Sequence, residues 1–155
     1  MTRKAAAMLA TVFLAVAMAA CAAGAQIYDD NANAGHLIDA AIREASISHK
    51  NIVLDFGANW CPDCHALDAQ MHQGELAQVI SKYFVIVHIS VGRYDRNLEA
   101  ARKYEIPLRK GIPALAVLDS HGKLLYSQKE GQFENARAMG SASFLAFFKK
   151  WEPKA

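Results

Sequence analysis

Three cysteines are all that the 155 residues contain, at positions 21, 61 and 64. That is too few for the disulfide framework that staples small exported folds lacking a full core. Four prolines and nine glycines are scattered rather than clustered, and neither an internal repeat nor a low-complexity linker is visible, so the length allows one domain and hardly more. Long apolar runs are scarce. The one extended stretch, Ala5 to Ala20, is half alanine and is interrupted by Thr11, short of the roughly 20 strongly apolar residues that a membrane span needs. A surplus of positive charge is also missing once that stretch is set aside. Residues 1 to 25 hold Arg3 and Lys4 and no acid, so the remainder carries 15 Lys plus Arg against 15 Asp plus Glu. A formally neutral domain without a basic run excludes nucleic acid as the expected partner.

The first 25 residues have the layout of an export signal. A short basic n-region precedes the apolar h-region, and Ala23-Gly24-Ala25 supplies small residues for cleavage before Gln26. The expected organisation is a signal peptide at 1–25 and a single domain at 26–155. An uncleaved anchor is the competing reading. A third is lipoprotein processing at Cys21, for which Ala19-Ala20-Cys21 fits while Met18 stands where such signals normally carry Leu; a processed protein would be tied to a membrane only if Cys21 is lipidated. The signal has a bacterial character, which makes the periplasm the expected destination.

After cleavage only Cys61 and Cys64 remain, in the stretch Asn59-Trp60-Cys61-Pro62-Asp63-Cys64-His65. The β-branched run Asn51 to Phe56 leads in, and Ala66, Leu67 and Met71 at helical spacing lead out, so the pair sits at a strand-to-helix turn. Unpaired N–H groups and the positive end of the helix dipole favour an anion there, making Cys61 the more acidic thiol. Pro62 suits the first helical position, and the two-residue gap lets Cys64 reach Cys61. Half a zinc knuckle or a structural disulfide would use the same residues. A zinc site needs a second ligand pair, and none is spaced like one.

Val53-Leu54-Asp55-Phe56-Gly57-Ala58-Asn59-Trp60-Cys61-Pro62-Asp63-Cys64 resembles the active-site strand and turn of the thioredoxin superfamily. Lys110-Gly111-Ile112-Pro113-Ala114-Leu115 resembles the loop in which that family keeps a cis-proline against its active-site disulfide. The resemblance implies Cys61 as attacking thiol, Cys64 as resolving thiol, Asp55 as the carboxylate behind Cys64, and Trp60, Ile112 and Pro113 as the substrate-binding rim. From Asp55 to Tyr126 the chain is most similar to the C-terminal periplasmic domain of the thiol transporter DsbD and related exported proteins. No cofactor and no metal are implied. The implied partners are protein disulfide substrates and an upstream thiol reductant, membrane-bound in the DsbD case, and a monomer is expected. Three departures stand out. No lysine lies between Tyr83 and Gly92, where thioredoxin keeps one near its buried aspartate, which puts the proton relay of Asp55 in doubt. The segment Glu105 to Ile112 is longer than the thioredoxin pattern. An insertion, Gly131 to Gly140, precedes the last helix, and both extra segments could lie beside the disulfide.

The remaining pattern supplies the scaffold. Gln26 to Gly35 reads as a loose polar lead-in of little functional weight. Leu37, Ile38, Ala41, Ile42 and Ala45 mark a helix over His36 to Ser48, and Leu76, Val79, Ile80 and Tyr83 another beyond Gly74. Phe84 to Ser90 is apolar on both faces, predicting a central strand in which His88 is a satisfied histidine. Asp95 is a candidate cap for a helix carrying Leu98, Ala101 and Tyr104. Ala114 to Leu118 and Lys123 to Ser127 form a hairpin, and Ser141 or Ser143 can cap a final helix with Phe144, Phe147, Phe148 and Trp151. This order predicts an α/β thioredoxin fold, a central mixed β-sheet flanked by helices on both faces.

The expected chemistry is thiol-disulfide exchange. Asp63, next to the thiolate, should make Cys61 less acidic and the protein a poorer oxidant, and Ile112 before the cis-proline is thioredoxin-like, so a reductase or isomerase-like donor is favoured. His65 would oppose this if protonated near the sulfurs. A disulfide donor in the same compartment remains open. So does a copper(I) chaperone using Cys61, Cys64 and His65 or His88, and a redox-inert binding module.

Overall fold

The computed structural model describes residues 26–154; the signal-peptide expectation and Cys21 lie outside them. Four strands form one sheet in the order β2-β1-β3-β4. The chain enters it through α1 (Ala34–Ser48), which starts at Asn33, whose side chain accepts from the His36 N–H, and stops at His49 in the left-handed region. Next come β1 (Asn51–Gly57), α2 (Pro62–Met71), α3 (Gly74–Tyr83) and β2 (Phe84–Ser90). α4 (Leu98–Lys103) and a 3₁₀ turn at Leu108–Lys110 lead to β3 (Ala114–Leu118) and β4 (Leu124–Ser127). A second 3₁₀ turn, Ala136–Ala138, precedes α5 (Ser141–Lys150). β1 runs parallel to β2 and antiparallel to β3, and β3 antiparallel to β4.

Two apolar layers hold this mixed sheet. Ile38, Ala41 and Ala45 of α1 and Ala101 of α4 pack with Ile52, Leu54, Phe56, Val87 and Ile89 on one face. Leu67 and Met71, Leu76 and Val79, and Phe144 and Phe148 pack with Val53, Leu115 and Val117 on the other. The alternation of Ile52, Val53 and Leu54 between these layers is the two-residue period of a strand covered on both sides. Among the described residues no helix is long and apolar enough to cross a membrane.

Four expectations are corrected. β2 is an edge strand, not a central one; helices cover both its faces, and apolar sequence reports that cover rather than the number of neighbouring strands. The lead-in is not loose, since Tyr28 is fully buried and Asn59 holds it by accepting from the Ile27 and Tyr28 N–H groups and donating to the Tyr28 carbonyl. Asp95 does not cap α4. Asn97 does so by position, with its side chain spent on Ala34 N–H and on the Ala32 and Ser90 carbonyls. Gly140, without a side-chain cap bond, stands where Ser141 or Ser143 was expected to cap α5.

Candidate active site at the N-terminus of the second helix

β1 delivers the chain to the sheet's end at Gly57, and four residues later Cys61 is the N-cap of α2. Cys61 and Cys64 form a disulfide with their Cα atoms 5.3 Å apart. The Cys64 N–H donates to Cys61 Sγ at 3.1 Å, so a backbone donor already points at the sulfur that would carry a thiolate. Pro62 occupies the first turn, where a missing N–H costs nothing. Cys64 is fully buried, and Cys61 keeps the residual exposure of the two.

The peptide bond between Ile112 and Pro113 is cis, and the Ile112 carbonyl oxygen lies 3.6 Å from Cys61 Sγ. On the other side Trp60, 44% exposed, donates its indole N–H to the Gly92 carbonyl at 2.8 Å. Tyr94 meets it edge-on at 6.0 Å and Arg93 lies 5.7 Å from its ring centroid. Tyr94 has a positive φ, uncommon for a bulky side chain and a mark of a loop shaped by its surroundings. Tyr94, Leu98, Leu108, Arg109, Lys110 and Gly111 line an open groove that runs up to this rim.

Asp63 does not confront the thiolate as an unpaired charge. Its carboxylate accepts from the Arg137 backbone N–H at 2.9 Å and from the Arg137 guanidinium at 3.2 Å. Burial alone would raise its pKa, but the Arg137 N–H and guanidinium outweigh burial and hold it below the usual carboxylate range. The insertion thus folds onto the start of α2, with Phe133 and Ala136 buried. Glu134 lies against Gly111 as well, so the insertion and the longer loop flank the disulfide together.

Asp55 is fully buried on β1. Its Oδ2 accepts from the Tyr28 hydroxyl at 2.7 Å and lies 2.9 Å from His88 Nδ1, the residue paired with it across the parallel strands. Oδ1 is buried and makes no hydrogen bond to any described residue. Burial, then the neighbouring Asp55, push the Tyr28 phenol far above its ordinary pKa, fixing it as a donor. Burial lowers the His88 pKa, but its bond to Asp55 and the charges of Asp55 and Asp68 win and raise it. A histidine therefore stands where the missing lysine left Asp55 without an apparent partner. Tyr28 and Asn59 escape sequence reasoning; the one signal was Ile27-Tyr28, an apolar pair in a polar lead-in.

Neither histidine considered for copper is directed at the sulfurs. His65 Nε2 lies 2.7 Å from the Asn59 carbonyl oxygen, and His88 Nδ1 is taken by Asp55. Among the described residues no group of three His, Cys, Asp or Glu side chains has metal-holding geometry.

This fold, with a disulfide between cysteines three positions apart at a helix N-terminus facing a proline loop, is that of a disulfide-exchange protein. The family described as Thioredoxin-like matches residues 34–120, and the chain belongs to it. It is similar to a disulphide isomerase from Xylella fastidiosa Temecula1, with 40% identity and a TM-score of 0.77 over 81% of this chain and 96% of that one. A thioredoxin from Thermus thermophilus, 18% identical with a TM-score of 0.54, covers 72% of this chain and 81% of its own, and shares the fold. Probable nucleoredoxin 3 of Oryza sativa subsp. japonica is 29% identical over 99 residues, 52% of this chain, which spans 21% of that protein's length. The chain is thus a thiol-disulfide oxidoreductase of the thioredoxin-like family.

Proposed function

We propose that this oxidoreductase works outside the cytoplasm, after loss of residues 1–25, as a donor of reducing equivalents to protein disulfides, in reduction or isomerisation. The observation that carries the reading is the Cys61–Cys64 pair seated against Ile112 and cis-Pro113 beside the exposed Trp60 and Tyr94. An extended substrate can pair with the backbone next to Pro113 while its disulfide meets Cys61. The likeness to a disulphide isomerase supports the direction, because isomerisation also begins from the reduced dithiol.

In the forward reaction the Cys61 thiolate attacks a substrate sulfur, forming a mixed disulfide. Cys64 then attacks Cys61 Sγ, releasing the reduced substrate and leaving the disulfide seen here. Asp55 takes the proton that Cys64 must lose. Equilibration of the pair against glutathione, followed by Trp60 fluorescence, tests the direction. A potential near the roughly −270 mV of thioredoxin is expected, and one near the roughly −120 mV of strong periplasmic oxidants would make the protein a disulfide donor instead.

A further inference from the structure

The second exchange step requires a buried thiol to give up a proton, and Asp55 has no exposed surface from which to pass it on. We propose that His88 is the outlet of this proton route: Asp55 receives the Cys64 proton, and the His88 imidazole couples that transfer to release of a proton at the edge of the sheet. The proposal rests on the exchange reading above and on Asp55 as the base for Cys64.

From Asp55 outwards the geometry sets out a single line of groups to water. Asp55 Oδ2 is engaged by Tyr28 and His88, which leaves Oδ1 as the oxygen able to accept. His88 is paired in register with Asp55 and is 25% exposed because β2 is an edge strand. Its Nε2 lies 3.9 Å from Asp68 Oδ1, a half-buried carboxylate one helical turn beyond Cys64 on the same face of α2. The charged and titratable groups facing His88 are thus Asp55 from β1, Asp68 from α2 with His72 3.6 Å behind it, and Tyr28 edge-on at 5.5 Å from the lead-in. Tyr28 is held as a fixed donor and offers no exit. The imidazole is the member of the set with one nitrogen on the buried carboxylate and the other towards solvent.

The protons balance. At rest the imidazolium donates from Nδ1 to the Asp55 carboxylate. The Cys64 S–H proton passes to Asp55 Oδ1 as that sulfur bonds to Cys61 Sγ and the bond from Cys61 to substrate breaks. The imidazolium releases one proton from Nε2 to Asp68 or water, and the leaving substrate thiolate takes one from solvent. Asp55 and His88 then hold the same number of protons as before, one on the carboxyl and one on Nδ1; when the Cys61–Cys64 disulfide is next reduced, Asp55 returns its proton to Cys64 and Nε2 regains one from solvent, which restores the ion pair. No electrons move beyond the exchange of one disulfide for another.

The test separates the two thiol steps with bis(carboxynitrophenyl) disulfide, which frees one coloured thiolate when Cys61 attacks and a second when Cys64 resolves. Its leaving group needs no proton, so the second release reports Cys64 deprotonation. With His88→Gln the second release should slow by about tenfold or more near pH 7, a modest share of what positioned acid-base groups contribute, while the first stays within about twofold. The deficit should narrow as pH rises, because hydroxide then supplies an alternative base for the Cys64 proton. Equal slowing of both releases at every pH would make His88 merely structural and overturn the proposal, as would an unchanged second release. If His88→Gln does not fold, His88→Lys runs the same comparison. Its second release should follow a pH profile displaced upwards, and an unmoved profile overturns the proposal. Absence of both releases in the unmodified protein would sink the exchange reading itself, a distinguishable failure.

Discussion

Replacing Gly57 by alanine should destabilise the protein severely, although the same change in a strand is ordinarily helpful. Gly57 ends β1 without a positive φ, so alanine meets no backbone strain there, and lower unfolded-state entropy would contribute about 0.4–1 kcal/mol of stability. Against that, the added Cβ would stand 2.2 Å from the Tyr28 hydroxyl oxygen and 2.4 Å from its ring carbon Cζ. Those atoms belong to a fully buried side chain bonded to a fully buried carboxylate, so the ring must leave its seat. Losing a buried aromatic side chain costs about 3–5 kcal/mol, and the bond to Asp55 about 1.5–3 kcal/mol of that as a hydrogen bond to a charged group. A net loss of about 3 kcal/mol is expected for Gly57→Ala in urea unfolding. The double variant with Tyr28→Ala should cost no more than Tyr28→Ala alone, because both changes empty the same seat. A neutral or stabilising Gly57→Ala, or a double variant that loses the sum of both, would refute the account of how Tyr28 reaches Asp55.

Asp63, with its pKa depressed in the fold, contributes stability above its unfolded pKa of roughly 3.9 that is lost as pH falls through the lower folded value. Urea midpoints of the protein and Asp63→Asn should therefore differ most near neutrality and converge in acid. For His88, whose folded pKa is raised, the sign reverses. Its contribution is full below about pH 6.5 and fades as pH rises through the folded value, so the gap to His88→Gln should narrow on the alkaline side. Phe133 anchors the insertion, 5.0 Å from the Phe147 ring centroid and stacked on Phe144 at 6.0 Å. Phe133→Ala should cost about 3–5 kcal/mol and make Arg137 a fast trypsin site, whereas equal cleavage rates would show that the ring does not hold the segment down.

The disulfide pair and the proline loop were legible because each is a short local pattern whose chemistry demands those residue types. The helices and strands were legible because their faces repeat with period 3.6 or 2. What escaped was long-range. Tyr28 finds Asp55 across 27 positions, and a lone aromatic in a polar segment carries no period to announce its burial. Asn97 rather than Asp95 starts α4 because its amide is held by Ala32, Ala34 and Ser90, partners that local propensity does not see. The edge position of β2 was hidden for the same reason, since helices on both sides made its sequence look central.

The edge position of β2 and the pairing of Asp63 with Arg137 bear on the same chemistry. With the Asp63 carboxylate tied to Arg137, its charge offsets less of the stabilisation that the helix N-terminus and the Cys64 N–H offer a Cys61 thiolate. A freer Cys61 thiolate favours the reduced form and counts against the proposed reducing direction, because a pair is a strong oxidant where its reduced form is favoured over the disulfide. The proposed acid-base route at the buried Cys64 acts on the rate at which the disulfide closes and leaves that equilibrium where it is. The edge position of β2 is what gives that route an outlet, since a truly central strand would have enclosed His88 with Asp55. The strand that looked most like plain scaffold is, on this reasoning, where the proton of the second exchange step leaves the protein.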